Sequence, residues 1–115
     1  MACSNEIHKD DIGTEFVVSI VECINGVDVA VDISTATAKE IIFLKSDDIT
    51  RLAKVAEFTS IASGGTGNGS DGKISYFSIA GDLDQLDKYK IQGIVTTPVG
   101  KWYSTIDSFK VIDNL

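Results

Sequence analysis

TEFVVSIVECINGVDVAV, residues 14–31, decides the fold. Phe16, Val18 and Ile20 recur at every second position, and an extended chain lays such a set on one face because its side chains alternate across the strand. Asn25-Gly26 then supplies the two left-handed residues of a tight hairpin turn. The chain returns with Val27, Val29 and Val31 on one side and Asp28 and Ala30 on the other. This is the pattern of two antiparallel strands.

The same alternation extends to both ends of the chain. Residues 32–37 (DISTAT) are small and polar, suited to a crossing between sheets, and residues 38–45 (AKEIIFLK) form a third strand whose IIFL run, apolar on both faces, predicts a central position. Over residues 49–58, Ile49, Leu52, Ala53 and Ala56 also fit a helical stripe opened by Asp47 or Asp48. A strand is the preferred reading, since Leu52, Ala56 and Phe58 alternate with charged neighbours and a lone helix would interrupt a run of strands. Residues 62–72 (ASGGTGNGSDG) read as a flexible loop. Residues 73–79 and 88–97 resume the period of two, the latter with Tyr89, Ile91, Gly93 and Val95 on one face. Pro98 and Gly100 mark a turn, and residues 101–112 close the domain. The expectation is one all-β domain over residues 1–115, a β-sandwich of seven to eight antiparallel strands, with residues 1–6 a flexible tail.

Composition narrows the function. With 17 acidic against 10 basic residues the net charge is −7, and that field repels phosphate backbones and anionic headgroups, so neither nucleic acid nor membrane insertion is expected. The longest apolar runs are four or five residues, far below the roughly 20 that span a bilayer. The first eleven residues are polar and mixed in charge, unlike an export signal. Cys3 and Cys23 are the two cysteines and give no disulfide framework; both read as free thiols.

Catalytic and metal chemistry finds little support. His8 is the sole histidine, which removes three-histidine zinc sites and leaves one triad base in the expected tail. The run Gly67 to Gly72 spells G-x-G-x-x-G, but a strand follows it where a dinucleotide fold needs a helix. Asp82, Asp84 and Asp87 cluster as calcium ligands would, without the distal glutamate of a calcium loop, and read as a solvated turn. No catalytic residue, metal or cofactor is expected. The loop residues Gly64, Gly65, Thr66, Gly67, Asn68, Gly69 and Ser70 are candidate interface residues, since a segment that packs poorly on its own domain can order against a partner. Tyr103 joins them because Trp102 and Tyr103 fall on opposite faces of a strand, one toward the core and one outward. In sandwich terms GDLDQLDKYKI (residues 81–91) looks like the corner before a sixth strand, with Tyr89 returning its hydroxyl to the backbone and Ile91 where antibody domains place a cysteine.

With the strands laid out, the chain resembles the small immunoglobulin-like domains of tailed-bacteriophage virions, especially the N-terminal domain of baseplate upper proteins and the distal tail collar proteins. The matching residues are IHKDDIGTEFVVSIVE (7–22), VDISTATAKEIIFLKSDD (31–48), AEFTS (56–60), DGKISYFSIAGDLDQLDKYKIQGIV (71–95) and GKWYSTIDSFKV (100–111). Two departures stand out: SDDIT replaces a Pro-Asp-Gly turn, and Asp87-Lys88 stands where a glycine often precedes the strand. The resemblance implies an immunoglobulin-like sandwich and a non-enzymatic virion protein, assembled in the host cytoplasm. It would oligomerise as a ring or collar of the tail or baseplate, bridge tail and host-binding fibres, contact other virion proteins and need no cofactor. The alternatives are a capsid decoration protein and a carbohydrate-binding sandwich that attaches to the host surface.

Overall fold

A computed structural model describes residues 7–114, and the chain is all-β throughout them, without an α-helix. The expected tail over residues 1–6, with Cys3, lies outside the described residues. Eleven strand segments occur where seven or eight were expected: β1 (Ile7–His8), β2 (Glu15–Ser19), β3 (Val21–Ile24), β4 (Val27–Ala30), β5 (Ala38–Leu44), β6 (Arg51–Val55), β7 (Glu57–Phe58), β8 (Lys73–Phe77), β9 (Asp87–Thr97), β10 (Gly100–Tyr103) and β11 (Asp107–Ile112). They form a large sheet in the order β1-β11-β9-β5-β6, with β10 also on β9, a small sheet β2-β8-β7, and the isolated hairpin β3-β4. Not every pair is antiparallel, because β1 runs parallel to β11 with Ile7 beside Val111. That pairing also places His8 in a strand, where a mobile tail was expected.

The inner faces of the two larger sheets meet in one core. Phe16 and Val18 of β2 and Ile74 of β8 face Ile41, Phe43, Ile91 and Val95 of β5 and β9, all buried. The rings of Phe16 and Phe43 meet edge to face at 5.0 Å, a favoured aromatic geometry. Gly93 stands at the centre because any side chain there would collide with Val18, whose methyl would lie 2.8 Å from a Cβ. As the alternation requires, Tyr89, Ile91, Gly93 and Val95 all point inward.

Three local devices shape this frame. First, the stretch that could have been a helix is two strands: β6 pairs with β5 in the large sheet and β7 with β8 in the small one, so the chain changes sheets at the buried Ala56. Second, β6 is an edge strand that turns the lysine Lys54 inward, a feature that discourages edge-to-edge pairing. Third, the closing strand is broken by a bulge between Tyr103 and Asp107, where three residues face two of β9. Ser104 repairs the ladder there: its backbone N–H donates to Gly93 O at 2.9 Å, and its Oγ accepts the Gly93 N–H at 2.8 Å. Ser104→Ala therefore strands a buried amide and is expected to cost about 1–3 kcal/mol of unfolding free energy, read by urea titration. A loss below about 0.5 kcal/mol would show that the amide finds another acceptor.

Candidate functional site

The large sheet has two populations of cations. Inward-facing lysines are all engaged: Lys45 donates to Asp84 and to Gly81 O, Lys54 pairs with Asp82 at 3.0 Å, and Lys39 lies 4.4 Å over the Phe58 ring. The outward-facing set differs. The register puts Lys88 directly opposite Lys110, Lys90 opposite both Ser108 and Leu44, Arg51 opposite Leu44, and Lys101 opposite Thr96. All five are exposed. None makes an ion pair among the described residues, and Glu40 is the one carboxylate at an outward strand position of this sheet. A chain of net charge −7 thus gathers five of its ten cations on one sheet face. Like charges directly opposite on neighbouring strands destabilise a sheet, so folding alone gives no reason for Lys88 to face Lys110.

Within this face lies a shallow hollow of about 120 Å³ lined by Ile42, Leu44, Ile106, Gln92, Arg51 and Lys90. Ile42 and Leu44 are half-buried, and Ile106, on the outside of the bulge, is 64% exposed. An apolar floor under a cationic rim fits an apolar group on a segment of negative charge. A larger groove of about 680 Å³ follows the open side between β2 and β11, over Phe16, Val18, Ile91 and Phe109. Glu15, Asp107 and Lys110 at its rim mix the two signs, so it selects no charge.

The second unusual surface is the β3-β4 hairpin. Asn25 (φ 52) and Gly26 (φ 78) make the expected turn, yet of the three valines expected on one side only Val31, just past the strand, reaches the core, and Val27 and Val29 do not. Seven of the eight strand residues are exposed, among them Ile24, Val27 (61%) and Val29 (42%). Among the described residues the two strands pair only with each other, an arrangement marginal in water on its own. Glu22 Oε1 accepts from Trp102 Nε1 at 3.0 Å and ties the base of the hairpin to β10. Over residues 21–30 the charges are Glu22 and Asp28, with no cation. Cys23 is exposed and free.

The loop residues singled out from sequence are less free than expected. Thr66 N–H donates to Asp71, Asn68 Oδ1 accepts from Thr66 Oγ1 and the Ser70 N–H, and Gly65 and Gly67 donate to Ser60 O and Thr59 O. Gly69 is buried, its carbonyl accepting from Ile33 N–H, while Gly64, Thr66, Gly67, Asn68 and Ser70 are exposed and Gly65 is half-buried. The loop is held by its own hydrogen bonds. Of the two aromatics, Trp102 packs on the core and Tyr103 is exposed, with Lys101 Nζ 5.5 Å from its ring centre. Tyr103 thus borders the cationic face, on the same side of the sheet as Ile94.

The aspartates expected in a solvated turn part company. Asp82 is buried, accepting from the Tyr76 hydroxyl and the Ile79 N–H and pairing with Lys54. Burial alone would raise its pKa; the Ile79 N–H, the Tyr76 hydroxyl and Lys54 outweigh it and hold the carboxyl below its ordinary value. Asp84 and Asp87 stay exposed. Tyr89 does return its hydroxyl to the backbone: it accepts from Gln85 N–H and donates to Asp82 O. This network closes on itself. No group of three or more His, Cys, Asp or Glu among the described residues is placed to hold a metal ion, and no helix there is long and apolar enough to cross a membrane.

Comparison with protein-family models, with curated proteins and with solved structures finds no match to this chain.

Proposed function

We propose that this chain is a non-enzymatic assembly module, an immunoglobulin-like sandwich used as a ring or collar component of a tailed-phage tail or baseplate. The observation that carries the assembly reading is the β3-β4 hairpin: apolar residues exposed on strands that pair only with one another are surface held for a partner.

Several features support the immunoglobulin-like assignment. The order β1-β11-β9-β5-β6 over β2-β8-β7, with the first strand parallel to the last, suits it. So does the Tyr89 corner, and counting the bulged β10-β11 as one strand brings the tally nearer to seven or eight. At both places where the sequence departs from the phage domains the backbone is left-handed, φ 59 at Asp48 and φ 87 at Asp87, which is the conformation the missing glycines would take. A sugar-binding reading has the exposed Tyr103 in its favour, but Trp102 beside it is committed to the core.

Sedimentation of the purified chain over a wide concentration range tests the assembly reading. Growth from monomer to a closed oligomer is expected, while a monomer at every concentration whose amides do not shift with concentration overturns self-assembly. The virion assignment predicts neighbouring reading frames that encode tail and fibre proteins; a metabolic gene cluster overturns it. A glycan array that registers binding lost in Tyr103→Ala would favour the sugar-binding reading instead.

A further inference from the structure

We infer that copies of this chain join head to tail, the β3-β4 hairpin of one copy seating in the cationic hollow of the next. The inference rests on the assembly reading and names its contact.

The two surfaces match in chemistry. The hairpin offers Ile24, Val27 and Val29 on one face together with Glu22, carries Asp28 on the opposite face, and holds no cation. The hollow offers Ile42, Leu44 and Ile106 beneath Arg51 and Lys90, with Lys88 and Lys110 beyond. Its 120 Å³ is the share of liquid volume of roughly four waters, room for a branched aliphatic side chain. Charge also excludes the self-complementary pairings. Face against face would set the unpaired lysines against their own copies, and hairpin against hairpin would do the same with Glu22 and Asp28. Hairpin against face is the sign-matched combination, and electrostatic complementarity selects register and partner in this way.

Such a contact uses different patches on the two copies. It is heterologous, so successive copies close into a ring or run on as a filament, depending on the rotation per step. The hairpin is small, and one seat would bury well below the ~1,200–2,000 Å² of a stable standard interface. Single contacts are therefore weak, and closure or a template ring gives the assembly its persistence. Salt should weaken it by screening the rim charges.

Two variants test the contact, each dead on one side. Val27→Asp with Val29→Asp disables the hairpin and keeps the face; Arg51→Glu with Lys90→Glu disables the face and keeps the hairpin. All four positions are exposed, and the amide spectrum of each variant reports its fold. Each variant alone should self-associate about tenfold or more weakly than the unaltered chain. When the isotope-labelled face variant is titrated with the unlabelled hairpin variant, the amides of residues 21–30 should shift, and growth should stop at a 1:1 pair. Amide shifts register weak binding that sedimentation misses. If the unaltered chain assembles, but both variants assemble equally well or the hairpin amides stay still, this contact is wrong and the assembly reading stands. If the unaltered chain stays monomeric and no amide moves, both fall.

Discussion

Asp82→Ala will lower the unfolding free energy by about 3–5 kcal/mol, the loss typical of removing one partner from a buried ion pair. Three groups lose their partner at once: the Tyr76 hydroxyl, the Ile79 N–H and the partly buried Lys54 ammonium. Lys54 is turned inward by its strand position and is only 23% exposed, so loss of Asp82 leaves its ammonium partly buried without a carboxylate. At about 4 °C per kcal/mol for a chain of this size, the melting temperature should fall by about 12–20 °C. Tyr76→Phe removes a single hydrogen bond and should cost about 1 kcal/mol.

The pH dependence has a definite sign. Asp82 has a folded pKa below its unfolded value, so it adds stability that is present above roughly pH 4 and is lost as pH falls through the folded pKa. Tyr76 is the reverse case: burial first, then its bond to Asp82 and that carboxylate's charge, raise its pKa. Its contribution is complete below roughly pH 10 and is lost as pH rises through the folded value. Urea titrations of the Asp82→Asn variant should therefore show a shallower acid limb, and those of Tyr76→Phe a shallower alkaline limb. An acid limb unchanged in Asp82→Asn would mean that other carboxylates govern it.

Much of the frame is legible as period-two patterning. Phe16, Val18 and Ile20 declare one inner face, and Tyr89, Ile91, Gly93 and Val95 declare the opposing one, because a strand buried on one side must alternate. The Asn25-Gly26 turn is a local signal that tertiary context has no cause to override. What escapes is non-local. Ile7–His8 is two residues long and owes its strand state to Val111 and Ile112 at the other end of the chain. Lys54 looks like an ordinary outward charge until its register shows it facing inward beside Ile41, and Asp82 reads as one of several turn aspartates until Lys54 reaches it. Val27 and Val29 have a core-like period, yet no sheet comes to cover them, since sequence period states which residues share a face and not whether that face is met. The cationic face did leave a signal: Lys88 and Lys90 alternate with Tyr89 and Ile91, so both must point away from the core. A net charge of −7 hides that segregation when only the sum is read.

Glycine density misleads in the same way, and Gly72→Ala separates the two meanings of a glycine. A run such as residues 64–72 suggests mobility, but glycine also permits backbones to approach more closely than a Cβ allows. At Gly72 a Cβ would lie 2.6 Å from Ile20 O and 2.8 Å from Val31 O, both main-chain atoms that no rotamer can move, and φ is +74. The residue sits where the Ile20 N–H donates to Gly72 O, at the junction of β2, the hairpin and the start of β8. Alanine there combines the left-handed cost of about 1–2 kcal/mol with forced separation of that junction. We expect a total of about 3–5 kcal/mol. Gly81→Ala is the control: φ is +89 and nothing lies within 4 Å of its Cβ, so only the conformational cost of about 1–2 kcal/mol applies. Amide exchange at Ile20 and Ile33 should quicken in Gly72→Ala and stay unchanged in Gly81→Ala, because both amides donate to carbonyls of this loop, Gly72 O and Gly69 O. Equal losses in the two variants would return the loop to the flexible linker its composition resembles, and would free the β3-β4 hairpin from the anchor that aims it outward.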